Sequence, residues 1–158
     1  MKAIIAGIVF MCSALLASGQ NNLVSYEDIK YLLHNNLHQA DTFLVAKGYV
    51  ISKKDNNTKN RKYSLTLNGG THNNINIRSD GKKLFIQIET NELNQYNLIK
   101  ESISQYITKD GMVADVQTYI VKDLCTIYIM VNDTQPYNPL RKDYDIQIVA
   151  DRNVTAYN

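Results

Sequence analysis

Three residues of metal-ligating type lie close together near the start of the chain. His34 and His38 are four residues apart and Asp41 follows, so a continuous helix would project all three from one face. That set could bind a divalent cation, but Asn35 stands where a zinc protease carries its catalytic Glu and no fourth ligand is evident. We favour the interpretation that these side chains face water, and we predict no cofactor; a metal site is the alternative.

Other reactive side chains lack the partners that catalysis needs. Asp143 and Asp145 alternate on one predicted strand and could act as a glycosidase pair, but the neighbouring Arg141 indicates a solvated charged strand. Cys125 lies in an apolar run and no His follows His72, so a buried inert thiol is favoured over a nucleophile. We assign no catalytic residue, and the sequence favours a non-enzymatic protein without excluding an enzyme.

Composition narrows the class of protein. The 158 residues predict one domain, and 44% hydrophobic with 20% charged residues is typical of a globular chain. With 17 Lys and Arg against 15 Asp and Glu, the formal charge is only +2. Binding to nucleic acid depends on phosphate neutralisation by many cations, so we expect no nucleic-acid partner.

The first residues resemble an export signal. Lys2 precedes an uncharged stretch from Ala3 to Ala17, which is shorter than the roughly 20 apolar residues needed to span a bilayer. Ala17 and Gly19 supply the small residues of a cleavage site. We predict a signal peptide at 1–19, a single domain at 20–158, no membrane span, and a periplasmic or secreted location.

Two amphipathic helices are predicted from the spacing of apolar residues. The first is capped by Ser25 and stops at Lys47–Gly48. The second runs from about Glu92 to Lys109, with Thr90 or Asn91 as its cap and Gly111 after its end.

Period-two alternation predicts four strands after the first helix and three after the second. Hairpin turns are expected at Asp80–Gly81 and Lys122–Asp123. The predicted fold is therefore α+β, a single antiparallel sheet of about seven strands with two helices on one face, in the order α-β-β-β-β-α-β-β-β. The predicted strands centre on 49–51, 63–67, 75–77, 84–88, 113–121, 124–131 and 144–150.

The two halves of the chain have similar segments. Residues 47–50 are similar to 110–113, 64–68 to 128–132, and 75–80 to 146–151. We interpret these similarities as a degenerate internal repeat; recurrence of strand-like composition is the alternative.

Two resemblances to known families follow from these features. The motif Phe43-x-x-x-Lys47-Gly48-Tyr49, the exported start and the Asn-rich loops resemble uncharacterised small secreted α+β proteins of Bacteroidota. The doubled helix-plus-sheet layout is similar to that of the beta-lactamase inhibitory protein family, which implies binding of an enzyme through a sheet face. The Cys residues of this chain do not reproduce the paired cysteines of that family.

Two surface segments are candidates for binding. One is a basic cluster at a predicted hairpin, which could steer an acidic partner or an anionic polysaccharide or be only a solvated tip; it consists of Lys53, Lys54, Lys59, Arg61 and Lys62. The other is the long connection 132–141, in which prolines flank Tyr137 and Asn138 and lead to Arg141. Restrained loops often carry binding, although an idle loop is the alternative.

The function that the sequence favours is an exported, non-enzymatic module that binds another protein, such as an inhibitor or an immunity factor. A carbohydrate- or small-ligand-binding module, using Tyr side chains on the exposed sheet face, is the alternative. An exported hydrolase comes third.

Overall fold

The computed structural model describes residues 22–57, 59–79, 84–132, 142–151 and 154. These residues form an α+β fold with three helices and one antiparallel sheet of eight strands. The helices are α1 (Tyr26–His34), α2 (Leu37–Ala46) and α3 (Leu93–Ile103). The strands are β1 (Val50–Asp55), β2 (Asn60–Thr66), β3 (His72–Ser79), β4 (Leu84–Thr90), β5 (Ile107–Val113), β6 (Val116–Val121), β7 (Cys125–Asn132) and β8 (Asp143–Ala150). Short 3-10 turns lie at Asn68–Gly70 and Ser104–Tyr106.

The sheet consists of two four-stranded meanders joined through their last strands. The strand order is β1-β2-β3-β4-β8-β7-β6-β5, and every neighbouring pair is antiparallel. The junction pairs β4 with β8, and Gln87 lies opposite Gln147 at its middle. Each meander is local in sequence, whereas the junction joins segments about 60 residues apart.

Rows of isoleucine cross the middle of the sheet and form the core. In one row the register places Ile75, Ile88, Ile146 and Ile129 side by side on β3, β4, β8 and β7. All four side chains are almost fully buried. Burying one such side chain contributes roughly 1.5–3 kcal/mol, so these rows hold the two meanders together.

The helices cover one face of the sheet. On that face, the amide of Asn73 in β3 donates to Gln95 Oε1 in α3 at 2.6 Å, and the rings of Tyr96 and Tyr144 stack with centroids 4.5 Å apart. Gln95 also binds both the N–H and the C=O of Val24. This clamp ties the segment before α1 to α3 and satisfies the buried backbone donor and acceptor of Val24.

The long first helix of our prediction is wrong in one respect, because the structure has two helices there. Its start is confirmed, since Ser25 and Asp28 form a capping box, and Gly48, at φ 93°, follows the end of α2. Asn35 and Asn36 interrupt it with extended backbone, and the Asn36 side chain accepts from Gln39 N. Asn competes with helical hydrogen bonds in this way, so a new helix begins at Leu37.

The predicted end of the second helix is also wrong. Helix α3 begins at Leu93, with Glu92 as its cap rather than Thr90 or Asn91, and ends at Ile103. The next residues form a 3-10 turn and then β5, in which Gly111 pairs with Thr118 instead of closing a helix. The end of the predicted helix is therefore β5, and the predicted strand 113–121 covers the following turn and β6, so the described residues form eight strands instead of seven. The turn at Lys122–Asp123 is confirmed, and Asp80–Gly81 lies outside the described residues.

The two halves have the same sheet topology, a four-stranded meander that follows helical structure, although two described helices precede the first meander and one precedes the second. Two of the three sequence similarities that suggested a repeat do not align equivalent strands. Segment 64–68 lies on and after β2, whereas 128–132 lies on β7, the third strand of its half. Because β5 was not predicted as a separate strand, these segments of the second half lie one strand further along than their counterparts in the first half. The strand register instead makes Asn76 equivalent to Tyr128 and Gln87 equivalent to Gln147. Asn76 pairs with Gln87 between the third and fourth strands of the first half, as Tyr128 pairs with Gln147 in the second half.

Candidate functional site: the open face of the sheet

The face of the sheet opposite the helices, which we call the open face, carries the alternate side chains of the strands. Along β3, β4 and β8 nearly all of these positions are half-buried or exposed, while their neighbours are buried. No described helix or strand covers them. The open face includes Lys53, Lys62, Asn74, Asn76, Arg78, Phe85, Gln87, Glu89, Asp145, Gln147, Val149, Tyr128, Met130 and Ile120.

Amide side chains run across the middle of the open face. Gln87 donates from Nε2 to Glu89 Oε1 and to Asp145 Oδ1, both at 3.1 Å. Gln147 donates from Nε2 to Asp145 Oδ2 at 3.0 Å. These bonds hold two carboxylates that the register places opposite each other on β4 and β8. The side chains at the pseudosymmetric centre are thus held in place before any ligand binds.

Two shallow depressions lie on either side of this row. One, of about 230 Å³, is lined by polar side chains, including Ser52, Lys62 and Asn74. The other, of about 200 Å³, lies between Arg78 and Tyr128. Asn76 and Gln87 line both and separate them. The relief is that of a broad shallow surface rather than a deep cleft.

The half of the open face formed by β5 to β8 is more apolar. The guanidinium of Arg78 lies 4.9 Å from the centre of the Phe85 ring, at the boundary of this half. Tyr128 is 37% exposed and Val113, near the edge, is 76% exposed. Apolar side chains grouped on an exposed sheet surface are typical of protein interaction sites.

The predicted basic cluster is divided between the two faces of the sheet. Lys53 and Lys62 lie opposite each other on the open face, and Lys59 is exposed with φ 48° at the hairpin. Lys54 and Arg61 point to the helix side. Arg61 is buried and donates to the backbone oxygens of Asp55 and Asn60 and to Asn56 Oδ1, so it closes the hairpin rather than presenting a surface charge.

The metal candidates are not brought together. His34 and His38 are exposed and lie on different helices, and the His34 ring bonds to the Lys30 carbonyl oxygen. In the part of the chain that the structure describes, no three His, Cys, Asp or Glu residues are grouped to hold a metal ion.

Asp41 is buried and belongs to a structural network. Its Oδ1 accepts from the Tyr63 hydroxyl at 2.8 Å and lies 3.4 Å from Arg61 Nε. Its Oδ2 lies 3.1 Å from Lys54 Nζ. The expectation that this carboxylate faces water is therefore wrong, because α2 turns it toward the β1–β2 hairpin.

Cys125 is buried in β7, and burial, with a smaller contribution from the charge of Asp151, raises the pKa of its thiol to about 12. This is the environment of an inert thiol rather than a nucleophile. Asp145 of the predicted carboxylate pair holds the amides of Gln87 and Gln147, and Asp143 lies opposite Asn132.

The second candidate segment, the connection 132–141, lies outside the described residues except for Asn132. Tyr137, Asn138 and Arg141 lie outside the described residues. The exposed sheet face was expected to present several tyrosines, but within the described ranges Tyr128 alone occupies such a strand position. Tyr63 and Tyr144 point to the helix side.

Sequence reasoning missed the amide row of the open face. Its signal was present, since polar residues occupy the middle position of Ile75-x-Ile77, Ile86-x-Ile88 and Ile146-x-Ile148. What the alternation does not reveal is which strands are neighbours. The pairing of β4 with β8 is what brings Gln87 and Gln147 together.

None of the described helices is both long and apolar enough to cross a membrane. Comparison with family models, with curated proteins and with solved structures gives no match to this chain.

Proposed function

We propose that the chain is an exported, non-enzymatic module that recognises another protein through the open face, in the manner of an inhibitor or an immunity factor. The observation that carries the proposal is the open face itself, which combines fixed amides with exposed apolar side chains on a rigid sheet. Tyr and Arg, the residue types that dominate interface energetics, are both present there as Tyr128 and Arg78.

A broad shallow surface suits a protein partner because complementarity there is spread over many contacts. Preordered side chains lower the entropy cost of association. The hydrogen bonds from Gln87 and Gln147 to Asp145 supply this preordering. The predicted leader at 1–19 supports export, and an exported protein would meet its partner in the periplasm or outside the cell.

A matched pair of tyrosines tests the proposal. Tyr128 on the open face and Tyr31 on α1 are 37% and 38% exposed. We would replace each in turn with a photo-crosslinking phenylalanine and irradiate the protein in extracts of the cell envelope and culture medium. We expect a discrete adduct from position 128 that unlabelled wild-type protein competes away, and none from position 31. Equal labelling from both positions, or labelling from position 31 alone, would contradict the proposal.

The second candidate function is glycan binding, which the amide row favours. Asn and Gln side chains beside an aromatic ring can hydrogen-bond to sugar hydroxyls while the ring packs on the sugar, and Asn76, Gln87 and Gln147 lie beside Tyr128. A glycan array probed with wild type and Gln147→Ala tests this function. Binding of a defined glycan that Gln147→Ala abolishes would favour it over protein recognition.

A further inference from the structure

An unneutralised pair of lysines lies at one end of the open face. Lys53 and Lys62 are exposed and directly opposite each other on β1 and β2. Like charges at opposite positions of an antiparallel pair destabilise it. Among the described residues neither ammonium group forms an ion pair.

The next lysine on β1, by contrast, forms an ion pair within the fold. Lys54, which points to the helix side, lies 3.1 Å from the carboxylate of Asp41. The ion pair therefore neutralises Lys54 on one side of the sheet, whereas on the other side the charges of Lys53 and Lys62 have no carboxylate partner among the described residues.

The depression beside Lys62 contains further hydrogen-bond donors. Ser52 lies where the pairing register of β1 shifts, between Ile51 and Lys53, and it lines the depression together with Asn74. Asn76 lines the depression too, but its buried Oδ1 atom, which has no hydrogen-bond partner among the described residues, can only accept and does not bind an anion. The donors that a carboxylate ligand needs are the Ser52 hydroxyl, the Asn74 amide and the Lys62 ammonium group, which line the same depression.

The opposite wall of the depression is negative. Glu89 lines it and is held by Gln87 at 3.1 Å. Glu89 and Lys62 are on β4 and β2, so about 10 Å separates the two walls, because neighbouring strands lie about 4.8 Å apart. A uniformly anionic polymer would meet repulsion at Glu89, whereas a protein surface can place a carboxylate at one wall and avoid negative charge at the other.

We propose that the protein partner inserts an Asp or Glu side chain into the depression between Ser52, Lys62 and Asn74. This inference rests on the proposed function and adds the chemistry of the partner's anchor. The other occupants of the open face, a glycan or a second copy of this chain, are distinguished by the tests.

The test selects a displayed library of random twelve-residue peptides against the wild-type protein. We expect the selected peptides to be enriched in Asp and Glu, and their binding to shift the amide resonances of Lys62, Asn74 and Asn76. Lys62→Glu should weaken such a peptide by about tenfold or more, because it replaces attraction with repulsion. Lys122→Glu makes the same charge change at an exposed turn and should weaken it less than twofold.

Several results would overturn the inference. Peptides without an acidic excess, peptides that shift resonances elsewhere, or no selected peptide at all would each do so. So would equal weakening by Lys62→Glu and Lys122→Glu, which would indicate only general electrostatic attraction. If the crosslinking at position 128 nevertheless succeeds, protein recognition stands and only the carboxylate anchor is wrong. Self-association of the free protein that Lys62→Glu disrupts would identify a second copy as the occupant and also contradict it.

Discussion

Asp41 is a candidate metal ligand in the sequence, but in the structure its carboxylate stabilises the fold. Its carboxylate joins α2 to the β1–β2 hairpin through Tyr63, Arg61 and Lys54. The residue type indicated charge and hydrogen bonding correctly. The sequence could not identify these partners, because they belong to a hairpin whose position against α2 depends on the whole sheet.

Replacing Asp41 by Asn tests this role. The loss of the negative charge leaves Arg61 buried without its counter-ion, so we expect the free energy of unfolding to fall by about 3 kcal/mol. The matched control is Glu27→Gln, which removes an exposed ion pair to Lys30 at 4.0 Å and should cost less than about 1 kcal/mol. Urea denaturation of both variants measures the difference. Similar losses in the two would show that the Asp41 network contributes no more than a surface pair.

The buried thiol of Cys125 makes the stability of the protein depend on pH in the alkaline range. Burial raises the pKa of its thiol to about 12, whereas the unfolded thiol ionises near 9.0. Above pH 9 the unfolded state therefore loses a proton that the folded state keeps, so the stabilising contribution of the thiol falls as pH rises toward 12. Against Cys125→Ala, which lacks this group, the wild type should lose its advantage progressively from pH 9 to 11. A difference in unfolding free energy that stays constant over this range would contradict the assignment.

At the scale of elements, alternation and helical spacing predicted most of the strands and the start of α1. The errors have physical causes. Tyr106 and Ile107 continue the helical spacing of Ile99 and Ile103, but Ile107 pairs with Val121 at the start of β5. This edge strand is exposed at nearly every position, so no alternation marks it as a strand. The sequence therefore contains no local signal that separates β5 from α3.

The break between α1 and α2 depends on the cap at Asn36. Its side chain accepts from Gln39 N at 3.0 Å, and Gln39 Oε1 accepts from Asn36 N at 3.0 Å. Asn36→Ala should lower the free energy of unfolding by about 1 kcal/mol, because the first turn of α2 loses its side-chain acceptor. Thr42→Ala, an exposed change in the same helix, should alter it by less than about 0.5 kcal/mol. Thermal denaturation followed by circular dichroism compares them; no loss on Asn36→Ala would mean that the cap does not stabilise α2.

At the scale of the whole molecule, the two meanders share one core. Ile88 of β4 and Ile146 of β8 lie opposite each other and are fully buried. Topology at this scale was the least predictable from sequence, since the pairing of β4 with β8 joins segments from different halves. The candidate site depends on the same pairing, because it places Gln87 beside Gln147.

Ile88→Ala tests whether the halves unfold as one unit. We expect a loss of about 3 kcal/mol from the cavity left between the meanders, with faster hydrogen exchange at both Tyr63 in β2 and Ile127 in β7. Val149→Ala, on the half-buried open face of β8, should cost less than about 1 kcal/mol. Faster exchange confined to the strands of the first half would show that the meanders open independently.

The position of β8 determines when the sheet can be completed as the chain emerges from the ribosome. The first seven strands can form two separate hairpin arrays, but each array keeps an unpaired edge until β8 inserts between β4 and β7. Such edges are templates for intermolecular pairing. A nascent chain arrested before Asp143 would therefore expose the strand edges of β4 and β7, which could pair with other chains. A holdase chaperone that shields these two edges until β8 is synthesised would increase the yield of native protein.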